Sequence, residues 1–317
     1  REFVESAPTA AKAMRTLYRR YAEASEVTKD LAERISAGQD LSPLHPARLS
    51  PEEVNDLIQT NKNFFPTLEA AAQSLRRRAG LDENNLVYHD LVGHLKRVHG
   101  VEVVHLPSHR ANADVRRFDP KTGTLTLNPL LSASTANFQL ANQLALLEAS
   151  DEIGSIVAGA HLTTDESRSL ARVALANYFA GATLMPYAPL LAEAEAVGYD
   201  VDLISRKFHT SFEQVCHRLT CLRKPGAEGV ALHFIRVDIA GNISKRFSAS
   251  GVPFARFSGA CPRWALFLAF HTPGVIRTQL SEMPDGSRFF CMTRTVTRRR
   301  GGFRSRPALY AVCIGCR

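Results

Sequence analysis

The sequence predicts an α+β chain in three parts: a helical N-terminal region, a mixed middle, and a C-terminal part built mainly of strands. Three observations carry this. Apolar residues recur at helical spacing, as at Phe138, Ala141, Leu144, Ala145 and Leu147. Short strand-like runs with turn residues between them occupy 101–127. From residue 225 onward, strand-like runs flank a Gly241-Asn242 turn and a Pro284-Asp285-Gly286 turn, with a single short apolar helix between them. The 317 residues suffice for two or three domains, read here as 1–80, 81–224 and 225–317. A hydrophobic content of 45% is ordinary for a globular chain. No apolar run reaches the roughly 18 residues of a membrane span and no secretory signal leads the chain, so a cytoplasmic protein without a membrane partner is expected.

Taken in order, Ala10–Ile35 reads as a long helix with Leu17, Tyr18, Tyr21 and Leu31 as apolar anchors and Arg15, Arg19 and Arg20 on its other side. Residues 42–50 read as a Pro-containing linker. Ser50-Pro51-Glu52-Glu53 reads as a helix start, with Ser at the N-cap, Pro at the first helical position and acids in the first turn. A break at Asn61–Pro66 starts another helix through Arg78. Val87–His99 should be a helix ended by Gly100, Val101–Leu106 a strand, and Val115–Phe118 with Leu125–Leu127 a hairpin around Asp119–Gly123. The helix at Phe138–Glu148 follows. Thr163–Leu184 is a helix capped by Thr164, and 187–224 is helical again. Val230–Ile239 and Ile243–Ser248 are paired strands, Trp264–His271 a short helix, and Val275–Met283, Arg288–Val296 and Leu309–Ile314 the remaining strands.

The helix at 138–148 has the setting of a zinc-peptidase helix without its chemistry. A His-Glu-x-x-His motif places two imidazoles on one helix face for the metal and a Glu as base. Here the window is Asn142-Gln143-Leu144-Ala145-Leu146. About thirty residues on comes Leu175-Ala-Asn-Tyr-Phe-Ala-Gly-Ala-Thr-Leu-Met-Pro186, and no Asp or Glu lies between Arg168 and Pro186. This pairing resembles the ImmA/IrrE zinc-peptidase-like domains, in which the second helix supplies a carboxylate as third ligand. The resemblance implies a degenerate zincin-like scaffold that is not an enzyme. Such domains occur in actinobacterial transcription regulators that respond to short-chain acyl-CoA, a family that acts in mycobacterial propionate (methylcitrate-cycle) metabolism. The segment Asn63-Phe-Phe-Pro-Thr-Leu-Glu-Ala-Ala-Ala72 is similar to that family as well. The strand pair, helix and three strands of 225–317 resemble the GAF/PAS-like ligand-sensing class, whose sheet offers a concave face to a small ligand.

The six cysteines are Cys216, Cys221, Cys261, Cys291, Cys313 and Cys316, and without a secretory signal they are expected as thiols. Cys261 precedes Pro262 at a helix start, Cys291 is mid-strand, and Cys313-x-x-Cys316 is on or just after the last strand. Thiolates suit soft iron or zinc. The family resemblance implies a 4Fe–4S cluster in this part, with Cys261, Cys291, Cys313 and Cys316 as candidate ligands and a zinc site of four cysteines as the alternative. Cys216 and Cys221 read as structural. His89, His94, His99, His105 and His109 read as exposed or core-edge residues, since no pair has zincin context.

A net charge of +8 suits nucleic acid or an anionic ligand. Part of it is local: Arg294–Arg306 holds six Arg and no acid, and reads as a basic loop between two strands. Phosphates of CoA need Lys or Arg. Candidates are Arg15, Arg19, Arg20, Lys245, Arg246 and Arg256. The helix pair of 202–224 lacks a clear turn glycine for a helix-turn-helix, so specific DNA contact is expected from an N-terminal domain elsewhere. No phosphate loop, nucleophile elbow or Ser/His/Asp constellation is found. The expectation is the ligand-sensing part of a transcription regulator: a homo-oligomer that binds short-chain acyl-CoA such as propionyl-CoA, carries an iron–sulfur cluster and controls propionate and fatty-acid catabolism. The alternatives are a zinc metallopeptidase-like regulator and a thiol-only redox sensor.

Overall fold

The computed structural model describes residues 46–81, 88–106, 115–252, 254, 265–283, 285–298 and 307–317. The chain divides into two compact units, 1–49 and 50–317, and the second is described here. The helix expected at 10–35, with Arg15, Arg19 and Arg20, lies outside the described residues, as do His109, Arg256 and Cys261.

Helices α1 (Pro46–Thr60), α2 (Pro66–Ala79) and α3 (Tyr88–His99) come first. The sequence reading starts α1 at an N-cap Ser50, but the helix runs on both sides of it, with Pro51 inside. Ser50 is instead a buried residue whose hydroxyl meets that of Thr164 at 3.0 Å. A proline removes only one helical donor, and its fixed φ is helical, so a helix can pass through it when side-chain contacts hold the turn. Helix α2 starts at Pro66, as expected, and Gly80 ends it in the left-handed conformation (φ 63°).

Strands β1 (Glu102–His105), β2 (Arg116–Asp119) and β3 (Thr124–Leu127) form a small sheet in the order β1-β3-β2. β1 is parallel to β3 and β2 antiparallel to it. Strand alternation sends Leu125 and Leu127 inward, where both are fully buried. Helix α4 (Ala133–Glu148) is capped by Ser132, whose hydroxyl accepts from the Thr135 N–H at 3.3 Å. A short helix α5 (Ser150–Ala158) follows at once. The sequence reading makes no element of it because neither Gly nor Pro separates it from α4. Helix α6 (Asp165–Leu184) opens on a capping box between Thr164 and Ser167. Leu68, Leu75, Leu91, Leu95, Leu140, Leu144, Leu175 and Phe179 fill the core among these helices and the sheet.

Helices α7 (Tyr187–Ala196), α8 (Val201–Lys207) and α9 (Phe212–Leu219) lead to the second sheet. One side of α9 is buried at Phe212, Val215, Cys216 and Leu219, so this helix is not free to enter a DNA groove. Arg218 of α9 is 2% exposed and fork-bonds Glu69 of α2 at 2.6 and 2.9 Å. Its Nε donates to the Met185 carbonyl at 3.0 Å, and its guanidinium lies over the Tyr178 ring of α6. Helices α2, α6 and α9 are thus tied by one buried ion pair.

The C-terminal sheet is antiparallel throughout: β4 (Leu232–Asp238), β5 (Ile243–Ser248), β6 (Arg277–Glu282), β7 (Arg288–Arg298) and β8 (Ala308–Cys316), in the order β5-β4-β8-β7-β6. A short helix α10 (Ala265–Leu268) with one 3-10 turn lies between β5 and β6. One face of the sheet carries Leu232, Phe234, Val312 and Ile314 and packs on α7–α9. The other carries Ile235, Val237, Ala311 and Cys313 and packs on Leu266 and Phe270. The expected strand pair, helix and three strands are all present. β7 runs two residues past the expected end at Val296, so Arg298 as well as Arg294 belongs to the strand rather than to the basic loop.

Candidate functional site

Three central strands build the site by register alone. Gly315 of β8 lies opposite His233 of β4 on one side and opposite Cys291 of β7 on the other. All three positions share the face away from α7–α9. Because residue 315 has no side chain, the His233 ring passes over it. Its Nε2 reaches Cys291 Sγ at 3.2 Å, and its Nδ1 meets the Ser250 hydroxyl at 2.8 Å. A Cβ at 315 would stand 2.6 Å from the ring and 2.1 Å from the Phe290 carbonyl oxygen. Cys313, two residues back on β8, is on the same face, and its sulfur lies with His233 and Cys291 in a group whose donor atoms are all within 4.8 Å.

The thiols are unequal. The hydrogen bond from Cys313 lowers Cys291 most; burial opposes it and the His233 contact adds to it, leaving Cys291 at about 5. Cys313, having given its proton to that bond and being buried, is pushed up. Cys291 is thus the more acidic thiol of the pair, with an imidazole beside it. These residues line a cleft that is partly open to solvent. Its other walls are Ile235, Phe254, Leu266, Met283 and Phe289, with Gln279 and Ser281 as further polar residues.

Of the four cysteines singled out by sequence, the structure brings Cys291 and Cys313 together. Cys316 is on the opposite face of β8, packed beside the residues that meet α7–α9. A Cys-x-x-Cys in one strand always divides its thiols this way, since side chains alternate. His233 is the member that sequence reasoning misses. The available signal was Gly315 inside a strand, which marks a close approach. Cys216 and Cys221 are buried, and burial pushes Cys221 up to about 12, in keeping with structural thiols.

The described cations do not form one patch. Lys245 and Arg246 are neighbours on β5 and so point to opposite faces. Arg246 pairs with Glu52 of α1. Lys245 joins Arg236 and Arg298 around Glu213 of α9, at 3.7, 2.6 and 2.7 Å. Both guanidinium groups also lie over the Tyr310 ring. Burial alone would raise the Glu213 carboxyl; Lys245, Arg236 and Arg298 outweigh it and hold it at about 2, against an ordinary 4.5. Its stabilising share is complete above pH 4.5 and is lost as the pH falls to 2. The stability gap between wild type and Glu213→Gln is expected to narrow by about 3 kcal/mol over that range, read from urea unfolding at stepped pH.

The zincin-like helix carries no metal chemistry at its motif positions. The Asn142 amide donates to the Asn177 side-chain oxygen of α6 at 2.9 Å, closing the gap in which a zinc peptidase holds its ion. Neither amide is a zinc donor, and Leu146 is largely exposed. The residues present do not fit a catalytic zinc.

Residues 221–317 match the family described as "Short-chain fatty acyl coenzyme A regulator, C-terminal". Residues 96–220 match the IrrE N-terminal-like domain, a peptidase-related fold. A solved structure of a Mycobacterium tuberculosis transcriptional regulator superposes with a TM-score of 0.79 at 38% identity, covering 84% of this chain and 80% of that one. The chain belongs to the short-chain fatty acyl coenzyme A regulator family. Among curated relatives, the HTH-type transcriptional regulator PrpR of M. tuberculosis is 36% identical over 99% of this chain and 64% of its own length. RamB of the same organism is 35% identical over 99% and 66%. A propionyl-CoA carboxylase regulator of Cereibacter sphaeroides is 36% identical over 98% and 65%. The chain thus spans just under two thirds of these curated relatives, which are named as HTH-type transcriptional regulators in two cases and as a regulator in the third. Among the described residues no helix is long and apolar enough to cross a membrane.

Proposed function

We propose that this family member is the ligand-sensing part of a cytoplasmic transcription regulator rather than an enzyme. It would bind a short-chain acyl-CoA and carry an iron–sulfur cluster. The observation that carries the reading is the convergence of Cys291, Cys313 and His233 in the part of the chain that matches the acyl-CoA regulator family. Two thiols and an imidazole, their donor atoms all within 4.8 Å of one another, are donors that an iron–sulfur cluster or a zinc ion takes. Cys261 is the sequence candidate for a fourth donor. When bound, the cluster would supply a redox-sensitive bond network to the sheet. The chain's own part is to make Cys291 more acidic through Cys313 and His233, and to wall the centre with Phe254, Leu266 and Phe289. Zinc is the second reading, because two thiolates and one imidazole also suit a tetrahedral site.

The three-part division at 80 and 224 is kept as the working domain plan, with the sensor as a GAF/PAS-like unit. DNA recognition would lie in a helix-turn-helix segment outside this chain, and the working form would be a homo-oligomer. Lys245, Arg246, Arg256, Arg15, Arg19 and Arg20 remain the cations proposed for CoA phosphates. An effector must favour one conformation over another to change DNA affinity. Calorimetric titration tests this: propionyl-CoA is expected to bind at least tenfold tighter than free CoA. Equal affinities, or no binding by either, would refute the sensor reading.

A further inference from the structure

A second donor group lies in the zincin-like part, away from the motif positions. Helix α3 carries His94 and His99, and α4 ends on Glu148. The two rings converge on one carboxylate oxygen: Nε2 of His94 and Nε2 of His99 are 2.6 and 2.8 Å from Glu148 Oε1. The other oxygen takes Arg78 of α2 at 2.5 Å. The three donor atoms all lie within 4.8 Å of one another. His94 is 2% exposed, Glu148 8% and His99 19%, so the group is built into the fold with one rim toward solvent.

Three features favour a cation there. His99 is the last residue of α3 and Glu148 the last of α4, so two carbonyl-rich helix ends direct negative partial charge to the same place. The Glu148 carboxylate is held in place from both sides, with Oε2 against Arg78 and Oε1 turned to the two imidazoles. Two imidazoles and a carboxylate are donors that zinc and its first-row neighbours accept, with a water able to complete a tetrahedron. Two ligands at about 2.0 Å from a tetrahedral ion stand about 3.3 Å apart, so the His94 and His99 pairs, at 2.6 and 2.8 Å, need open by only about 0.7 and about 0.5 Å. To bind an ion, each ring carries its proton on Nδ1 and offers the Nε2 lone pair. The group is distinct from the degenerate motif, whose Asn142 faces α6 whereas Glu148 faces α3.

We propose that His94, His99 and Glu148 form a binding site for a first-row divalent ion of the Zn²⁺ type, which clamps the end of α3 to the end of α4. The spacing His-x4-His hides it from motif searches, because the third donor comes from another helix 49 residues after His99. The test is dialysis of the whole chain against Co²⁺, with metal counted per chain and the visible spectrum recorded. The expected result is one ion with ligand-field bands that show no thiolate charge transfer, retained in Cys291→Ser and lost in His99→Gln. Glu148→Gln keeps a hydrogen-bond acceptor for both rings and is expected to weaken binding at least tenfold, so it decides the matter should His99→Gln unfold. Thiolate-free bands unchanged in both variants, or no cobalt bound outside the cysteine centre, would overturn the proposal.

Discussion

Gly315→Ala is expected to abolish the His233–Cys291 contact and to destabilise the C-terminal sheet by about 3 kcal/mol or more. Overpacking a core ordinarily costs about 1–3 kcal/mol, because side chains can shift. Here the nearest atom is the Phe290 carbonyl oxygen, 2.1 Å from the added carbon, and a central β-ladder has little room to move. The His233 ring, at 2.6 Å, must also leave. Denaturant unfolding measures the loss of stability, and the rate of Cys291 alkylation at neutral pH, which should fall as the imidazole withdraws, measures the loss of the contact. Adding His233→Ala removes only the ring clash, so it should restore little stability. A Gly315→Ala chain whose stability matches wild type would show that the three-strand row is wrong.

Arg218→Met is the other substitution with a large expected effect, a loss of about 3–5 kcal/mol. It leaves the Glu69 carboxylate without its two-pronged partner, next to a Tyr178 hydroxyl already bonded to it at 2.5 Å. Adding Glu69→Gln should recover a good part of the loss, since the uncompensated charge is then gone. Arg218→Lys should also be costly, because an ammonium cannot fork-bond Glu69 while reaching the Met185 carbonyl. Denaturant unfolding of the three variants gives the ranking. A single Arg218→Met loss below about 1 kcal/mol, the level of an exposed pair, would mean that the pair is not buried as described.

The elements of this fold were largely open to reading because local signals and packing agree. Thr164 caps α6, Gly100 ends α3, and the Gly-Asn and Asp-Gly turns join the strands they flank. α5 escaped because its start after Ala149 has no breaker, and α1 overran Ser50 because burial outweighed the capping signal. The degenerate motif was also legible: Asn142 stands where a metal ligand would, and the structure adds its partner Asn177. The sites were harder. Cys291 and Cys313 are named by residue type, but their meeting depends on which strands are neighbours and on parity within each strand. That same parity removes Cys316 from the group and brings in His233, which nothing in its own neighbourhood marks. Glu148 looked like an ordinary helix end, and His94 a core-edge residue; their meeting with His99 needed the packing of α3 on α4.

The most direct test of the cluster centre is an iron and sulfide count, with a visible spectrum, on anaerobically purified protein and on three cysteine variants. A brown protein with matched iron and sulfide is expected, with colour lost in Cys291→Ser and in Cys313→Ser and retained in Cys316→Ser. A colourless, iron-free protein, or a cluster that survives Cys313→Ser and is lost with Cys316→Ser, would contradict it.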